Sequence, residues 1–259
     1  MIYFETTPDA EPNYRAEKKA RVAEFADDAE FRALSKQWRI AALQRKYMNN
    51  GSWLGRPIIQ LPMDMLAVQE LLWAIKPDLV IETGIAHGGS LILSASILEL
   101  IGHGRVLGID IDIRTHNRQA IENHPLAHRI TLIEGSSINP STVAKVHAEA
   151  KDAKKVIVLL DSNHTHAHVL AELNAYADLV SVDSYCVVFD TFVEDMPDDY
   201  VWNDRPWGKG NNPKTAVREW LKTHPEFIID HSIEDRLLIT SAPDGFLRRV
   251  AVDGVQSRE

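Results

Sequence analysis

Residues 78–90 read Asp-Leu-Val-Ile-Glu-Thr-Gly-Ile-Ala-His-Gly-Gly-Ser, and this stretch decides the fold. The apolar run 78–82 is typical of a buried strand, and the apolar segment 90–101 after the glycines is predicted to be a helix. Glycines in such a turn let a ligand approach the backbone, and the N-terminus of the following helix favours an anionic group. The spacing is G-x-x-x-G-G instead of the G-x-G-x-x-G of dinucleotide-binding proteins, which disfavours a nicotinamide oxidoreductase.

The same alternation of strands and helices continues along the chain. Further β-type runs occur at 105–109, 129–133, 156–160 and 185–189, and helical segments lie between them near 115–123, 140–151 and 165–178. Such alternation predicts a parallel sheet covered by helices on both faces. In the tail, 237–240 and 246–252 are expected to form an antiparallel hairpin at the sheet edge. We therefore predict an α/β fold with a doubly wound, mostly parallel, seven-stranded Rossmann-like sheet, the architecture of the class I methyltransferases.

Composition narrows the class of protein. The chain has 259 residues with a formal net charge of −9, and 45% of them are hydrophobic. The acidic balance disfavours nucleic acid as a partner, and no apolar run is long enough for a membrane span. Cys186 is the only cysteine, which excludes an intrachain disulfide, and the N-terminus lacks the layout of a signal peptide. We expect a cytoplasmic protein that acts on a small molecule.

The chain before the glycine-rich stretch has a different character. Residues 14–50 show the spacing of one or two amphipathic helices. The predicted division is a helical extension over 1–55 and the main domain over 56–259. We expect the extension, which carries Trp38 and Trp53, to form the interface of a homo-oligomer.

The first strand and its turn carry candidate cofactor-binding residues. The pattern Glu-x-Gly-x-x-x-Gly, from Glu82 through Gly84 to Gly88, resembles the loop that holds the methionine end of S-adenosylmethionine (SAM). In that role Glu82 lies near the ammonium group, while Ser90 and the amides of 88–90 meet the carboxylate. The alternative is a tight turn whose only purpose is to pack a helix on a sheet.

The next two strands end in polar residues. Asp110 is the candidate that accepts hydrogen bonds from the ribose hydroxyls, with Asp112 as the fallback. Ser136 and Ser137 are candidates for the adenine side of the cofactor. Each of these residues could instead be an ordinary helix N-cap.

Two later strands end in candidate catalytic residues. Asp161 and Asp190 are expected to share a divalent cation such as Mg²⁺, which lowers the pKa of a substrate hydroxyl. His164 is the candidate general base. Alternatives are helix capping for either aspartate, a transition-metal pair formed by His164 with His168, and a solvated surface for His166 and His168.

The loop 194–214 is the candidate substrate lid. Trp207, Asn211 and Asn212 are the predicted substrate contacts, and Trp202 belongs to the same aromatic and polar mixture. An aromatic face also stacks on sugar rings, which makes a glycosyl acceptor a reasonable expectation. The alternative is an ordered surface loop with Trp207 buried.

Four segments together resemble the cephalosporin hydroxylase / rhamnosyl O-methyltransferase family over about residues 60–252. They are TGIAHGGS (83–90), LDSNH (160–164), VFDT (188–191) and PWGKGNNP (206–213). The resemblance implies a SAM-dependent, magnesium-assisted O-methyltransferase acting on antibiotic or sugar hydroxyls. The order of sites is also similar to catechol O-methyltransferase, which implies cofactor roles for Glu82, Gly84, Gly88, Ser90, Asp110 and Ser137, a metal-ligand role for Asp161 and the base role for His164.

One position departs from the family pattern. The family usually has two adjacent polar residues, often Glu-Asp, after the fifth strand, whereas this chain has Phe189-Asp190. Either Asp190 suffices with Asp161 and waters, or the metal is lost. Phe189 keeps open a SAM-binding protein without catalysis. The family label also leaves an iron/2-oxoglutarate hydroxylase open, for which 224–226 (His-Pro-Glu) has the local spacing, although the only later histidine, His231, follows too closely.

Overall fold

The computed structural model describes residues 12–200 and 205–251, so the predicted lid residue Trp202 lies outside the described part. The helices are α1 (Pro12–Asp27), α2 (Ala29–Gln44), α3 (Pro62–Ile75), α4 (Gly89–Ile101), α5 (Thr115–Glu122), α6 (Pro140–Ala150), α7 (His166–Tyr176), α8 (Pro213–Trp220) and α9 (His231–Leu237). The strands are β1 (Gly51–Trp53), β2 (Arg56–Ile58), β3 (Leu79–Thr83), β4 (Arg105–Asp110), β5 (Ile130–Glu134), β6 (Val156–Leu160), β7 (Tyr185–Val188), β8 (Phe227–Ile229) and β9 (Phe246–Arg249).

Seven strands form one sheet in the order β5-β4-β3-β6-β7-β9-β8. Strands β3 to β7 pair in parallel, and β9 runs antiparallel to both β7 and β8. The predicted doubly wound, mostly parallel, seven-stranded sheet is confirmed. The chain winds from β3 outward to β5 and then crosses to β6 on the other side of β3. In such sheets ligands bind at the carboxyl ends of the strands where the winding reverses, which is between β3 and β6.

The predicted pairing of 237–240 with 246–252 in the tail is wrong. The segment 237–240 is not a strand, and β9 pairs with β8 instead. Helix α9 lies between these two paired strands in the sequence. The start of α9 is stabilised because the Asp230 carboxylate accepts the N–H of Ser232. Ile233 and Leu237, which are one turn apart, face the core. An apolar run that looks β-like in sequence therefore ends a helix.

The sheet separates two apolar layers. On one face, residues such as Leu71, Leu91 and Ile121 from α3, α4 and α5 pack on the sheet together with α9. On the other face, α6, α7 and α8 contribute Val146, Leu173 and Trp220 among others. The strands alternate between the layers, which explains why both of their faces are apolar.

The N-terminal helices are attached to this domain by polar contacts and by apolar packing. Arg32 on α2 donates to Asp235 on α9 over 2.6 Å. The predicted boundary after residue 55 falls inside the turn of the β1–β2 hairpin, in which Gly51 pairs with Ile58. No helix within residues 12–200 or 205–251 has both the length and the apolar character needed to cross a bilayer.

Candidate active site

The parallel strands bring the candidate residues to one edge of the sheet. Thr83 at the end of β3 lies opposite Ile109 of β4 and Leu160 of β6. Asp110 and Asp161 are the next residues along these two neighbours, so they lie on either side of the glycine loop. The N–H of Asp161 donates to the Thr83 carbonyl over 2.9 Å. Residues predicted for the cofactor and for the metal thus meet where the winding reverses.

Glu82 is a buried carboxyl group at this edge, with 2% of its surface exposed. One of its oxygens accepts a hydrogen bond from the Ser90 hydroxyl, and the other, Oε2, has no hydrogen-bond partner among the described residues. Burial raises the pKa of Glu82 to about 7, against the lowering effect of the Ser90 bond. A buried carboxyl group with an unused oxygen suits a cationic partner such as an ammonium group.

The glycines of the loop are required by the protein itself. Gly84 has φ +82°, and a Cβ at this position would collide with the carbonyl of Asp161. Gly88 also has φ +82°, and its Cβ would lie 2.5 Å from the side chain of Ile121. The expectation that these glycines make room for a ligand is therefore incomplete. Gly84 also lets the loop pack against the backbone of Asp161, and Gly88 lets it pack against α5.

The loop also shapes an anion-binding helix end. Helix α4 begins after Gly88 with no side-chain cap, so no capping side chain uses its first N–H groups, which are the groups that bind anions at a helix start. Asp110 pins the loop from the next strand, because its Oδ2 accepts the N–H of Ile85 over 2.9 Å and a longer bond from Ala86. Its Oδ1 accepts the N–H of Asp112 over 3.1 Å. Asp110 is thus at the predicted place, already ordered, with further lone pairs for hydroxyl donors.

The predicted adenine-side serines are placed differently from each other. Ser137 is 5% exposed, its hydroxyl lies 3.0 Å from His168 Nε2, and its carbonyl accepts the Tyr176 hydroxyl. Direct contact of the Ser137 side chain with a cofactor is therefore not supported. Ser136 is partly buried, and its carbonyl accepts the N–H of Asn139. It remains a candidate at the end of β5.

Sequence reasoning missed two apolar residues at the same edge. Ile111, directly after Asp110, is 73% exposed, and Ile138, in the loop after β5, is 39% exposed. Exposed isoleucines near Asp110, the candidate ribose acid, offer apolar surfaces for a flat base. The pattern that could have found them is an apolar residue inserted between polar neighbours at the end of a strand.

The solvated surface predicted for His168 is wrong. His168 lies within 3.1 Å of the Ser162 hydroxyl and 3.5 Å of the Glu172 carboxylate, which is fully buried. The Ser162 hydroxyl donates to Glu172 over 2.7 Å. His164 precedes the first residue of α7 and turns elsewhere, so the two histidines do not form a metal pair. A helical spacing of four residues had no meaning here because only one of the two lies on the helix.

Asp161, His164 and Asp190 form the candidate metal centre. One ligand atom from each lies within 4.8 Å of the other two, and all three residues are partly buried. His164 Nε2 lies 3.0 Å from Asp190 Oδ2. The two carboxylates are ligands that Mg²⁺ accepts in proteins, and the imidazole beside them suits either a further ligand or a proton acceptor. The donor set therefore fits a divalent cation.

Negative charge accumulates around this centre. Burial raises the pKa of Asp161 well above its ordinary value, and Asp190, Glu82 and Asp64 raise it further. Burial also raises the pKa of Asp190, against the opposing effects of His164 and Arg205. A bound cation would relieve this repulsion, which supports the same fit.

The departure at position 189 has a structural explanation. Phe189 is 2% exposed and packs in the apolar layer with Tyr185 and Val187 of β7. The side chain at this position belongs to the core and contributes no ligand. The groups available to a cation are therefore the carboxylates of Asp161 and Asp190, with the imidazole of His164 beside them.

Trp207 links the lid to the centre. Its ring meets the edge of His164 with 4.7 Å between centroids, and the Arg205 guanidinium lies 5.0 Å from the centre of the Trp207 ring. Trp207 is partly buried against a small apolar cluster that contains Phe192 and Met196. The predicted substrate-facing tryptophan therefore lies next to the candidate base.

The two predicted asparagine contacts hold the lid in place. Asn212 is fully buried, and its side chain accepts the N–H of Thr215 and donates to the Gly208 carbonyl, so it caps α8. These bonds use the polar groups of Asn212 within the protein, so the geometry gives no support to its predicted substrate contact. Asn211 is exposed, but its oxygen accepts the N–H of His166 over 3.0 Å and its amide donates to Pro206. These bonds attach the lid to the start of α7.

Comparison with known proteins supports the same reading of the motifs. Residues 45–250 match the family described as Rhamnosyl O-methyltransferase/CmcI. The rhamnosyl O-methyltransferase of Mycobacterium tuberculosis is 32% identical over 192 residues, which cover 72% of this chain and 73% of that protein. The fold is similar to the apo structure of CmcI-N160, with TM-score 0.55, 20% identity and coverage of 79% and 78% of the two chains. It is also similar to CmcI-D160 with Mg and SAM, with TM-score 0.53, 21% identity and 78% of each chain covered. The expected family is confirmed: this chain belongs to the rhamnosyl O-methyltransferase/CmcI family.

Proposed function

We propose that this protein is a SAM-dependent O-methyltransferase that methylates a hydroxyl group of a sugar or natural product with the help of a divalent cation. The observation that carries the proposal is the meeting of two half-sites at one point of the sheet. A backbone hydrogen bond joins Thr83 to Asp161. Glu82 and the start of α4 flank Thr83 along the chain, and Asp161 itself belongs to the cluster with His164 and Asp190. Family membership supports the same reaction.

The cofactor half would bind SAM through charge and hydrogen bonds. Glu82, with one oxygen unused, faces the ammonium group, and the first N–H groups of α4 bind the carboxylate. Asp110 accepts hydrogen bonds from the ribose, and the exposed side chains of Ile111 and Ile138 border the adenine. These contacts would orient the methyl group toward the acceptor half, so the cofactor half would accelerate the reaction by positioning the methyl donor.

The acceptor half would bind and deprotonate the hydroxyl. Asp161 and Asp190 hold the cation, which lowers the pKa of a neighbouring hydroxyl when bound. His164 accepts the proton of that hydroxyl. With Nε2 directed to Asp190, Nδ1 is the atom that is free to accept it. Trp207 beside His164 provides an aromatic surface for a sugar ring, in keeping with the rhamnosyl acceptors named for the relatives.

The hydroxylase alternative has less support. His224, on which it depends, stacks on Trp220 with 3.8 Å between ring centroids and turns its Nδ1 to the Trp220 carbonyl. Within residues 12–200 and 205–251, neither group of potential metal ligands includes His224.

The test is calorimetric titration with SAM, with and without Mg²⁺, and with NAD as the control. We expect binding of SAM at micromolar concentration and no binding of NAD. Transfer of an isotopically labelled methyl group from SAM to methyl rhamnoside would then establish the reaction on a sugar. Preference for NAD, or no binding of SAM, would contradict the proposal. SAM binding without transfer to any hydroxyl acceptor would favour a cofactor-binding protein without catalysis.

We also propose that the protein is a cytoplasmic homo-oligomer. Leu34 and Trp38 on α2 and the nearby Tyr47 are 59%, 41% and 43% exposed, an apolar surface suited to a second copy. Trp53 is partly buried and donates to Ser96, so it contributes less than expected. Light scattering at micromolar concentration should give at least twice the mass of one chain, and a monomer would remove the proposal.

A further inference from the structure

Asp190 belongs to a constrained piece of backbone. It is a non-glycine residue with φ +56°, and it leads directly into a 3₁₀ turn over Thr191–Asp195. A residue in this region of backbone space persists when the surroundings over-determine it. The contacts that hold the turn therefore also determine where the Asp190 carboxylate points.

One end of the turn is held by helix α2. Arg39 of α2 is buried, with 7% of its side chain exposed, and its Nη2 lies 3.4 Å from Asp195 Oδ2. Lys214 of α8 donates to the same carboxylate over 2.9 Å. Burial lowers the pKa of Arg39, and Asp195 is the largest opposing influence. The guanidinium and the end of the turn thus depend on each other.

The other end of the turn is held by a segment that Arg39 also contacts. Arg39 Nη1 donates to the carbonyl of Thr240 over 3.2 Å. Next to Thr240, the Ser241 carbonyl accepts the N–H of Phe192 over 3.3 Å. A few residues on, the Pro243 carbonyl accepts the hydroxyl of Thr191 over 2.6 Å. A single side chain from α2 therefore connects both supports of the turn.

Apolar packing adds a second connection. Ile40 and Leu43 of α2 pack against the cluster of Phe192, Val193 and Met196, which also receives Trp207. Helix α2 thus supports the turn after Asp190 and the ring that contacts His164 at the same time.

We propose that Arg39 is a positioning residue for the acceptor half: it fixes the turn that carries Asp190, so helix α2 is a working part of the active site. This inference rests on the proposed function, because it assigns a task within the same metal-assisted reaction. It predicts that changes at Arg39 alter cation binding and leave SAM binding intact.

The test compares variants of the full chain. Arg39→Met removes the charge and keeps the length of the side chain, and Arg39→Lys retains the charge. Arg32→Met is the matched control, because Arg32 lies two turns earlier on α2 and pairs with α9 at Asp235. Ile40→Ala tests the apolar connection with a milder change. The probes are Mn²⁺ affinity by electron paramagnetic resonance, SAM affinity by calorimetry, and hydrogen exchange of residues 191–196.

For Arg39→Met we expect Mn²⁺ affinity to fall about tenfold, the scale of one hydrogen bond to a charged group, with SAM affinity unchanged within about twofold. Hydrogen exchange over 191–196 should become faster. Arg39→Lys keeps the charge beside Asp195 but lacks the two-nitrogen fork, so it should recover part of the Mn²⁺ affinity. Ile40→Ala should show the same changes in smaller size, and Arg32→Met should match the wild type.

Wild-type Mn²⁺ affinity and exchange in both Arg39→Met and Ile40→Ala would overturn the inference. Equal losses of SAM and Mn²⁺ affinity would do so as well, because they would indicate general destabilisation. Failure of the wild-type protein to bind SAM would instead contradict the proposed function. Unchanged exchange over 191–196 in Arg39→Met would then still reject the role of Arg39.

Discussion

The two halves of the site differ in how far along the chain their supports lie. In the cofactor half, Ser90 reaches Glu82 across 8 positions, and Ile85 reaches Asp110 across 25. In the acceptor half, Arg39 reaches Thr240 across 201 positions. The first half is built by one strand–loop–helix unit and its neighbour strand. The second half needs both ends of the chain to be in place.

The halves also differ in charge. Glu82 and Asp110 accept hydrogen bonds from neutral donors, and these bonds order the loop. Around Asp161 and Asp190 the carboxylates lie among further carboxylates, among them Asp64, which is fully buried and whose own pKa burial raises to about 6. In the cofactor half, bonds within the protein order the loop and leave one oxygen of Glu82 for an ammonium group, whereas the acceptor half gathers negative charge that suits a metal cation.

Asp161→Asn should have the largest effect and should separate the halves most clearly. Loss of the cation removes a contribution of several kcal/mol, so methyl transfer should fall by about 100-fold or more. SAM affinity should stay within about twofold of the wild type. The measurements are turnover and calorimetry, with Asp152→Asn at an exposed position as control. A parallel loss of SAM affinity would show that the halves are not independent.

Asp110→Ala should affect the other half. It removes the acceptor for the ribose and for the N–H of Ile85, so SAM binding should weaken by about 1–3 kcal/mol. Mn²⁺ affinity should not change. Asp112→Ala is the control, since Asp112 is exposed and contributes its backbone N–H to Asp110. If Asp112→Ala weakened SAM binding and Asp110→Ala did not, the ribose acid would be Asp112.

The pH dependence of SAM binding should follow Glu82. Because the pKa of Glu82 is about 7 without a ligand and the ammonium group requires the carboxylate, binding below pH 7 releases a proton. SAM affinity measured without metal should rise by up to about tenfold per pH unit below 7 and level off above it. Calorimetry in buffers of different ionisation enthalpy measures the proton release. In Glu82→Gln this rise with pH should be absent.

The raised pKa of Glu82 also makes the stability of the fold depend on pH. The raised pKa in the folded state means that the stability associated with Glu82 is complete below its unfolded value of about 4.3 and is lost as the pH rises through about 7. Because SAM affinity is expected to be higher above pH 7, the same concentration of SAM should raise the urea midpoint more at pH 8 than at pH 6.

Ile111→Ala should have the smallest effect. Loss of an apolar surface beside the adenine should weaken SAM binding by about 1 kcal/mol. Leu100→Ala is the matched control, because Leu100 is 74% exposed and lies at the end of α4, away from the carboxyl ends of the strands. Equal effects of the two substitutions would show that Ile111 does not border the cofactor.

Much of the fold was predictable because its pattern is local. Strand β6 has the predicted bounds, and the candidate acids Asp110, Asp161 and Asp190 follow strands that the apolar runs indicate. Parallel pairing then places their positions at one edge by geometry alone. The tail was predicted wrongly because an apolar run such as 237–240 fits a strand or a helix end equally well until its packing partners are known.

The sequence by itself determined the sheet, its winding and the strand ends at which the site lies, since hydrophobic periodicity and glycine spacing are properties of short segments. Only the tertiary structure decided which polar side chains are used up inside the protein. Asn212 and Ser137 looked suited to ligands, but buried donors and acceptors must find partners, and here those partners belong to the protein. It likewise decided that Arg39 and Asp64 both bond to the segment 240–241, because a buried charge is stabilised by whichever remote segment the fold brings against it.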